Sequence, residues 1–434
     1  MIKFCSRLNL GVFLLFLLLI LILRSPTLPN LLTGYLGGTS GDSGLYVWIY
    51  NYLIENHLSR GWFESNAFYP YQGTLAWSDN FLLPAFLGYL LSSIGIVAPF
   101  SYNLIFLLSS TLCGFATYHL AQALFKNHHG SIIAGASFML WNYHTAMMGH
   151  PQLQFAFFLP LNIFLMLRLL VNPTFMKGIF LGLALSATFY TTVYYAVFSV
   201  LLCLVTTIAF VIAGKLASLK TLALSFLGTA IGIIPILPAI QPYLDVMQTF
   251  TARGIYEPYY FAADTWSYLS SSAISSFYYF TSTWTHSEAY LFPGLINLSS
   301  LLIIGLCFKK ERAFRPFFLT LSLFLTLSLY RRYLPGEDQE IVRFILQLLA
   351  WCVLFSLVRV IRRGKFFGLS LVISLTTVSL VLSFGPIGSP TRGEFLFSPH
   401  ALFYQIFPGF GALRAISRLG VIVTLGLSLI LAWI

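Results

Sequence analysis

A chain of 434 residues that is 58% hydrophobic and only 9% charged is not an ordinary soluble domain, which carries about 25% charge. Apolar runs of about 17 to 24 residues recur along it, the length a bilayer core demands, so the sequence reads as an all-α polytopic membrane protein. The formal charge of +11 does not call for nucleic acid, because the basic residues sit in short connectors between apolar runs, as the positive-inside rule expects.

The first apolar helix, 10–23, follows Lys3 and Arg7. No small-x-small cleavage site comes after it, so it reads as a retained span rather than a signal peptide. Its basic flank predicts a multi-pass protein of the plasma (inner) membrane with a cytoplasmic N-terminus, and places the loop 34–84 outside. Further apolar segments lie at 81–97, 101–124, 131–148, 151–171, 177–190, 193–213, 221–240, 292–308, 315–330, 341–361, 366–384 and 417–434. The basic connectors are Lys126, Arg168 with Lys177, Lys215 with Lys220, Lys309 and Lys310 with Arg312 and Arg315, and Arg359 to Lys365. They share one side only if 81–97 or 101–124 fails to cross. Pro84, Gly88, Gly95 and Pro99 interrupt the former, which predicts a re-entrant or interfacial helix there and about twelve transmembrane helices overall.

This layout gives an N-terminal membrane module (1–240), a second outer loop (241–291) rich in Tyr, Phe and Ser, and C-terminal membrane helices (292–434). The last apolar run stops at Ile434 with no polar flank, as in a chain ending in the membrane or a fragment of a longer one. Of the 13 acidic residues only Glu311 falls on the cytoplasmic side. Acidic residues are weakly constrained by the topology rule, so their gathering outside points to chemistry there or, equally, to a solvated outer surface. The five cysteines are far apart and suggest neither a disulfide framework nor a metal cluster.

The outer segments hold the candidate residues. Asp42 stands in Gly37-Gly-Thr-Ser-Gly-Asp-Ser-Gly44, before a helical pattern of Leu45, Trp48, Ile49, Tyr52 and Leu53 that predicts an amphipathic interfacial helix. It reads as an N-cap of that helix or as a general base or metal ligand, with the glycines allowing a substrate close to the backbone. Asp79, in Trp77-Ser-Asp-Asn, is likewise a helix cap or a second catalytic carboxylate. His150, Gln152 and Gln154 sit at an outer helix mouth, where at most two can face one pocket; a solvated helix end is the plain reading. Glu288 heads the segment 292–308 and reads as a helix-start acid or a site residue. Arg414 and Arg418, four apart, are expected on one helical face, either snorkelling to headgroups or gripping a phosphate; Arg253 is a further candidate. No P-loop, GxGxxG, HExxH or nucleophile elbow is present, and the inner connectors are too short for a soluble catalytic domain, so any driving energy arrives with the substrate.

The order of these elements resembles the GT-C superfamily of polytopic glycosyltransferases. The resemblance rests on a first helix, a large outer loop beginning Gly41-Asp42, then Tyr69-Pro-x-x-Gly73, and the Asp79 turn before a Pro-broken helix. It extends to Leu291-Phe-Pro-Gly294, Ser383-Phe-Gly-Pro386 and Phe407-Pro-Gly-x-x-x-Leu-Arg414-x-x-x-Arg418. It implies inverting transfer of a sugar from a polyprenyl-phosphate donor to a glycan, lipid or protein acceptor at the outer membrane surface. Asp42 would be base or metal ligand, no cofactor would be required beyond an optional divalent metal, and arginines would hold the leaving phosphate. The superfamily pattern places a second acid after 131–148, where this chain has His144 and His150 instead; either Asp79 or Glu288 fills that role or no residue does. A transporter or flippase for a lipid-linked or anionic substrate, or a glycan ligase or polymerase, is the alternative. A cavity joining Asp42 to Arg414 would favour transfer, and a central path to both faces would favour transport.

Overall fold

A computed structural model describes residues 7–56, 61–250, 254–308, 311, 314–362, 366–387 and 397–434. Lys3, Cys5, Arg253, Lys309, Lys310, Arg312 and Lys365 lie outside the described residues. The described chain is all-helical, at 74% helix and no strand. In order the helices are α1 (Arg7–Leu23), α2 (Asp42–Glu55), α3 (Leu82–Ser92), α4 (Phe100–Phe125), α5 (His128–Met139), α6 (Asn142–Ala146), α7 (Phe158–Val171), α8 (Phe175–Phe189) and α9 (Val193–Ile212). They continue with α10 (Leu219–Ile233), α11 (Leu237–Thr249), α12 (Tyr256–Tyr260), α13 (Leu295–Cys307), α14 (Phe314–Tyr330), α15 (Gly336–Arg362), α16 (Phe367–Ser383), α17 (Pro399–Ile406) and α18 (Gly420–Trp433).

Six helical stretches among the described residues are long and apolar enough to cross a membrane: Phe100–Phe125, Pro151–Val171, Val193–Ile212, Leu219–Thr249, Asp338–Arg362 and Ile416–Trp433. The expected segment 131–148 is instead interrupted at Leu140–Trp141, leaving α5 with 12 residues. The expected segment 221–240 runs further, through a 3₁₀ turn at Ile234–Ile236 into α11, so Asp245 lies on a helix rather than in the second outer loop. Pro235 and Pro238 stand where a chain lacking those N–H groups loses least, at the start of a new helical turn.

Burial divides the long helices. Ile416–Trp433 has 89% of its apolar window buried, whereas Leu219–Thr249 has 28%. The last helix is therefore the central one, apolar all round because α5, α13 and α16 surround it. The stretch α10–α11 turns Leu224, Leu227, Ile231 and Leu237 outward, as does α1 with Leu10, Leu14, Leu18 and Ile22. Such continuous exposed apolar faces suit a lipid solvent. Gly178 and Gly182 of α8 interlock with Gly228 and Gly232 of α10. A Cβ on Gly182 would stand 2.3 Å from the Thr229 carbonyl, and one on Gly232 2.4 Å from that of Ile179. Two small-xxx-small pairs thus bring these backbones into direct contact.

Helix α2 keeps most of its expected face and extends it. Ile49, Tyr52 and Leu53 are buried and Trp48 partly so, Leu45 is exposed, and Tyr46 and Tyr50 are buried in addition. The tyrosine rings decide this: Tyr46 meets Phe81 edge-on at 5.3 Å and Tyr50 meets Tyr102 at 5.2 Å. The Tyr50 hydroxyl shares a 2.8 Å hydrogen bond with Ser101. A pattern that left out Tyr46 and Tyr50 misses amphipathic residues whose rings bury and whose hydroxyls find partners.

Candidate functional site

The site begins with how the first loop is anchored. Asn103 of α4 is fully buried. Its amide donates to the carbonyls of Leu31 (2.8 Å) and Gly34 (2.7 Å), and its oxygen accepts from the Leu36 N–H (2.8 Å). Next in the chain, Gly37 adopts φ +90°, and a Cβ there would lie 2.4 Å from the Met148 carbonyl oxygen. Only glycine allows this contact. It lays the loop 37–42 directly against the segment 147–150, so the close backbone approach serves the protein's own chain.

Asp42 and His150 meet across that contact. Gly41, at φ 60°, caps α2, and Asp42 occupies the first helical turn rather than the cap position. A carboxylate there complements the helix dipole. The Asp42 side chain is 62% exposed, and its Oδ2 lies 3.2 Å from His150 Nδ1. The other ring nitrogen, Nε2, lies 3.4 Å from Glu288 Oε1. Only an imidazolium has two N–H groups, so only the protonated ring donates to both carboxylates at once.

Glu288 is in turn gripped by Arg418. Nε of Arg418 donates to Oε2 (3.1 Å) and Nη2 to Oε1 (3.3 Å), with both residues buried. This is the bidentate geometry in which arginine and carboxylate bind best. Ser417 Oγ donates to the Glu288 carbonyl at 3.1 Å, and the Arg418 guanidinium lies over the Tyr194 ring at 4.6 Å. Burial works to raise the Glu288 pKa, but the hydrogen bonds and charges of His150 and Arg418 outweigh it and hold it at about 2. Four residues singled out in the sequence therefore form one line, Asp42–His150–Glu288–Arg418, running from exposed to buried.

Asp79 lies behind this line. It is buried and accepts the Val193 N–H at 2.5 Å. Burial pushes its carboxyl above the usual range, opposed by the Val193 N–H, the Arg418 charge and the neighbouring Thr192 and Gln152. A raised folded pKa favours stability most below the ordinary value of 3.8 and loses that advantage as pH rises through the raised value. Asp79→Asn keeps an oxygen for Val193 and removes the buried charge, so its unfolding temperature at pH 7 should match or exceed that of the parent. Asp79→Ala leaves the N–H unpaired and should cost about 1–3 kcal/mol; thermal unfolding of the two variants in detergent checks the order.

The remaining expected residues separate. Arg414 and Arg418 do not share a helix: Arg414 precedes the 3₁₀ turn Ile416–Leu419 and lies exposed over the Phe261 ring, 4.9 Å away. Gln154 is buried and donates to the Met147 carbonyl at 2.9 Å, shaping the turn that presents His150. Gln152, also buried, faces Asp79. His144, expected alongside His150, is buried against Phe138 and Trp141. Two cavities, of about 480 Å³ and 400 Å³, lie nearby, and neither is lined by Asp42 or Arg414. Among the described residues no group of three His, Cys, Asp or Glu is arranged to hold a metal ion. His150 stands between the two carboxylates.

The short turn 190–195 carries contacts the sequence did not disclose. Val193 holds Asp79, while the Tyr194 hydroxyl accepts the N–H groups of Arg414 and Ala415 at 3.1 Å each. The Tyr143 hydroxyl is buried beside Arg418 and Glu288, with no hydrogen-bond partner among the described residues. The available signal was position: both segments lie on the expected outer side, yet neither holds a carboxylate to mark it. Comparison with known families, with curated proteins and with solved structures finds no significant match to this chain.

Proposed function

We propose that the chain is a polytopic membrane glycosyltransferase, moving a sugar from a polyprenyl-phosphate donor to an acceptor hydroxyl on the outer face of the membrane. The observation that carries this reading is the line Asp42–His150–Glu288–Arg418. It ends in one exposed carboxylate, Asp42, whose Oδ2 is oriented by His150. His150 is itself oriented by a carboxylate fixed by a buried arginine. A general base needs a fixed direction as well as reach to its proton, and the His150 contact supports the first of these for Asp42.

In the proposed step the acceptor oxygen attacks the anomeric carbon of the sugar. The bond from that carbon to the phosphate oxygen breaks on the opposite face, giving inversion. Asp42 receives the acceptor proton, and the lipid phosphate departs with the bonding electron pair. Arg418 is committed to Glu288, so its role here is to position Glu288 and through it His150. Arg414, exposed over Phe261, is the outward-facing cation of that pair.

The finer topology belongs to the same proposal: about twelve crossings, a cytoplasmic N-terminus and a plasma-membrane location. A re-entrant or interfacial helix at α3, which has 11 residues, belongs to the same proposal.

The reading is tested by incubating the purified chain with a panel of polyprenyl-phosphate sugars and following sugar release or transfer. At least one donor should be consumed with release of polyprenyl phosphate. A chain that is folded by thermal unfolding yet consumes none of them would remove the proposal.

A further inference from the structure

Arg24 follows the end of α1 and faces the larger of the two cavities, about 480 Å³ in volume. An arginine at a helix end commonly snorkels to water. This one is half-buried and turns inward, its Nη2 reaching the Met148 sulfur at 3.4 Å. A thioether is a weak acceptor. Among the described residues no carboxylate pairs with Arg24, and burial alone pulls its pKa below the usual range with no opposing charge. By contrast, Arg418 is held by Glu288 and Arg332 by Asp264. A partly buried guanidinium with most of its donors unused is costly unless a ligand completes it.

The cavity around it has one charged side chain and a mixed wall. Thr27, Asn30 and Thr33 supply polar groups beside Arg24, Leu31, Tyr35, Leu36 and Met148 supply an apolar part, and Asn30 and Thr33 are exposed at its rim. Its walls are the two segments that carry the Asp42–His150 pair: Gly37 leads to Asp42, and Met148 leads to His150. We propose that this cavity is an anion site that takes a phosphate group, with Arg24 as its charge-bearing donor. Its use in transfer rests on the reading above, where it would hold the departing phosphate; the binding itself does not depend on turnover.

The test is binding to the purified full chain in detergent, without an acceptor. Three probes are compared: inorganic phosphate, a long-chain isoprenyl monophosphate, and the isoprenyl alcohol of the same length. The phosphate-bearing probe should bind, and Arg24→Gln should weaken it at least about tenfold, as expected on losing a charge-assisted contact. Arg24→Lys should keep part of the affinity, and binding of the alcohol should not respond to either change. Binding of the isoprenyl monophosphate alone assigns the site to a lipid headgroup, and equal binding of inorganic phosphate assigns it to the free ion. Should Arg24→Gln fail to fold, phenylglyoxal modification of the wild-type chain, mapped by mass spectrometry, gives the answer: bound phosphate should protect Arg24. Unchanged affinity in a folded Arg24→Gln, or modification of Arg24 at the same rate with and without saturating probe, overturns the proposal. Failure of sugar transfer with phosphate binding intact would count against the transferase reading alone.

Discussion

Asp42→Asn should lower sugar transfer by about 10²- to 10⁴-fold, the usual contribution of a positioned general base, while leaving the unfolding temperature nearly unchanged. The two halves of this expectation come from the same geometry. The side chain is 62% exposed, and among the described residues its ionic partner is His150. Exposed pairs contribute about 0–1 kcal/mol, so the fold loses little. Asparagine retains the shape and the helix-start position but does not accept a proton at neutral pH. The measurement is initial transfer rate with whichever donor the panel identifies, alongside thermal unfolding of the same preparation. Transfer at the parental rate in a normally folded variant would show that Asp42 is not the base.

The second large effect is on stability, at Glu288 and Arg418. Each is buried and each compensates the other. Removing one partner strands a charge away from water, so Glu288→Leu and Arg418→Met should each destabilise the chain by about 3–5 kcal/mol. The double variant strands neither and should recover most of that loss while leaving transfer impaired, because His150 loses its second carboxylate. Thermal unfolding of the two singles and the double closes the cycle; additive losses would show that the two residues do not act as a pair. The pH dependence follows with a definite sign. The Glu288 carboxyl is lowered in the folded chain from 4.5 to about 2. Its contribution is therefore present above pH about 4.5 and declines as pH falls toward about 2. In Glu288→Gln that acid limb should be shallower than in the parent.

The residue types of the site were legible in the sequence because each is unusual in its surroundings. Asp42, Asp79, His150, Glu288 and Arg418 are polar groups at the edges of apolar runs, and such groups are costly near a bilayer without a use. Their pairing was not legible. Glu288 and Arg418 stand 130 positions apart, and Asp79 and Val193 114. No local period encodes a contact of that separation. The two arginines show the limit of spacing rules: four residues apart means a shared face only in a helix, and Arg414 lies outside one. The second acid that the resemblance sought after 131–148 has an answer of a different kind, with His150 standing between two carboxylates drawn from other segments.

The sequence by itself determined the solvent and the secondary structure. Long apolar runs with 9% charge can satisfy their backbone in lipid only as helices, and the chain is all-helical throughout the described residues. It also determined which polar groups were available at the helix ends. The tertiary structure decided everything that depends on approach. Gly37 lets one loop touch another, Asn103 fixes where that loop lies, and the last helix becomes the centre of the bundle. The physical reason is range: hydropathy and helix propensity act over one to five turns. The charges that share the Asp42–Arg418 line come from separate segments and meet only through tertiary packing.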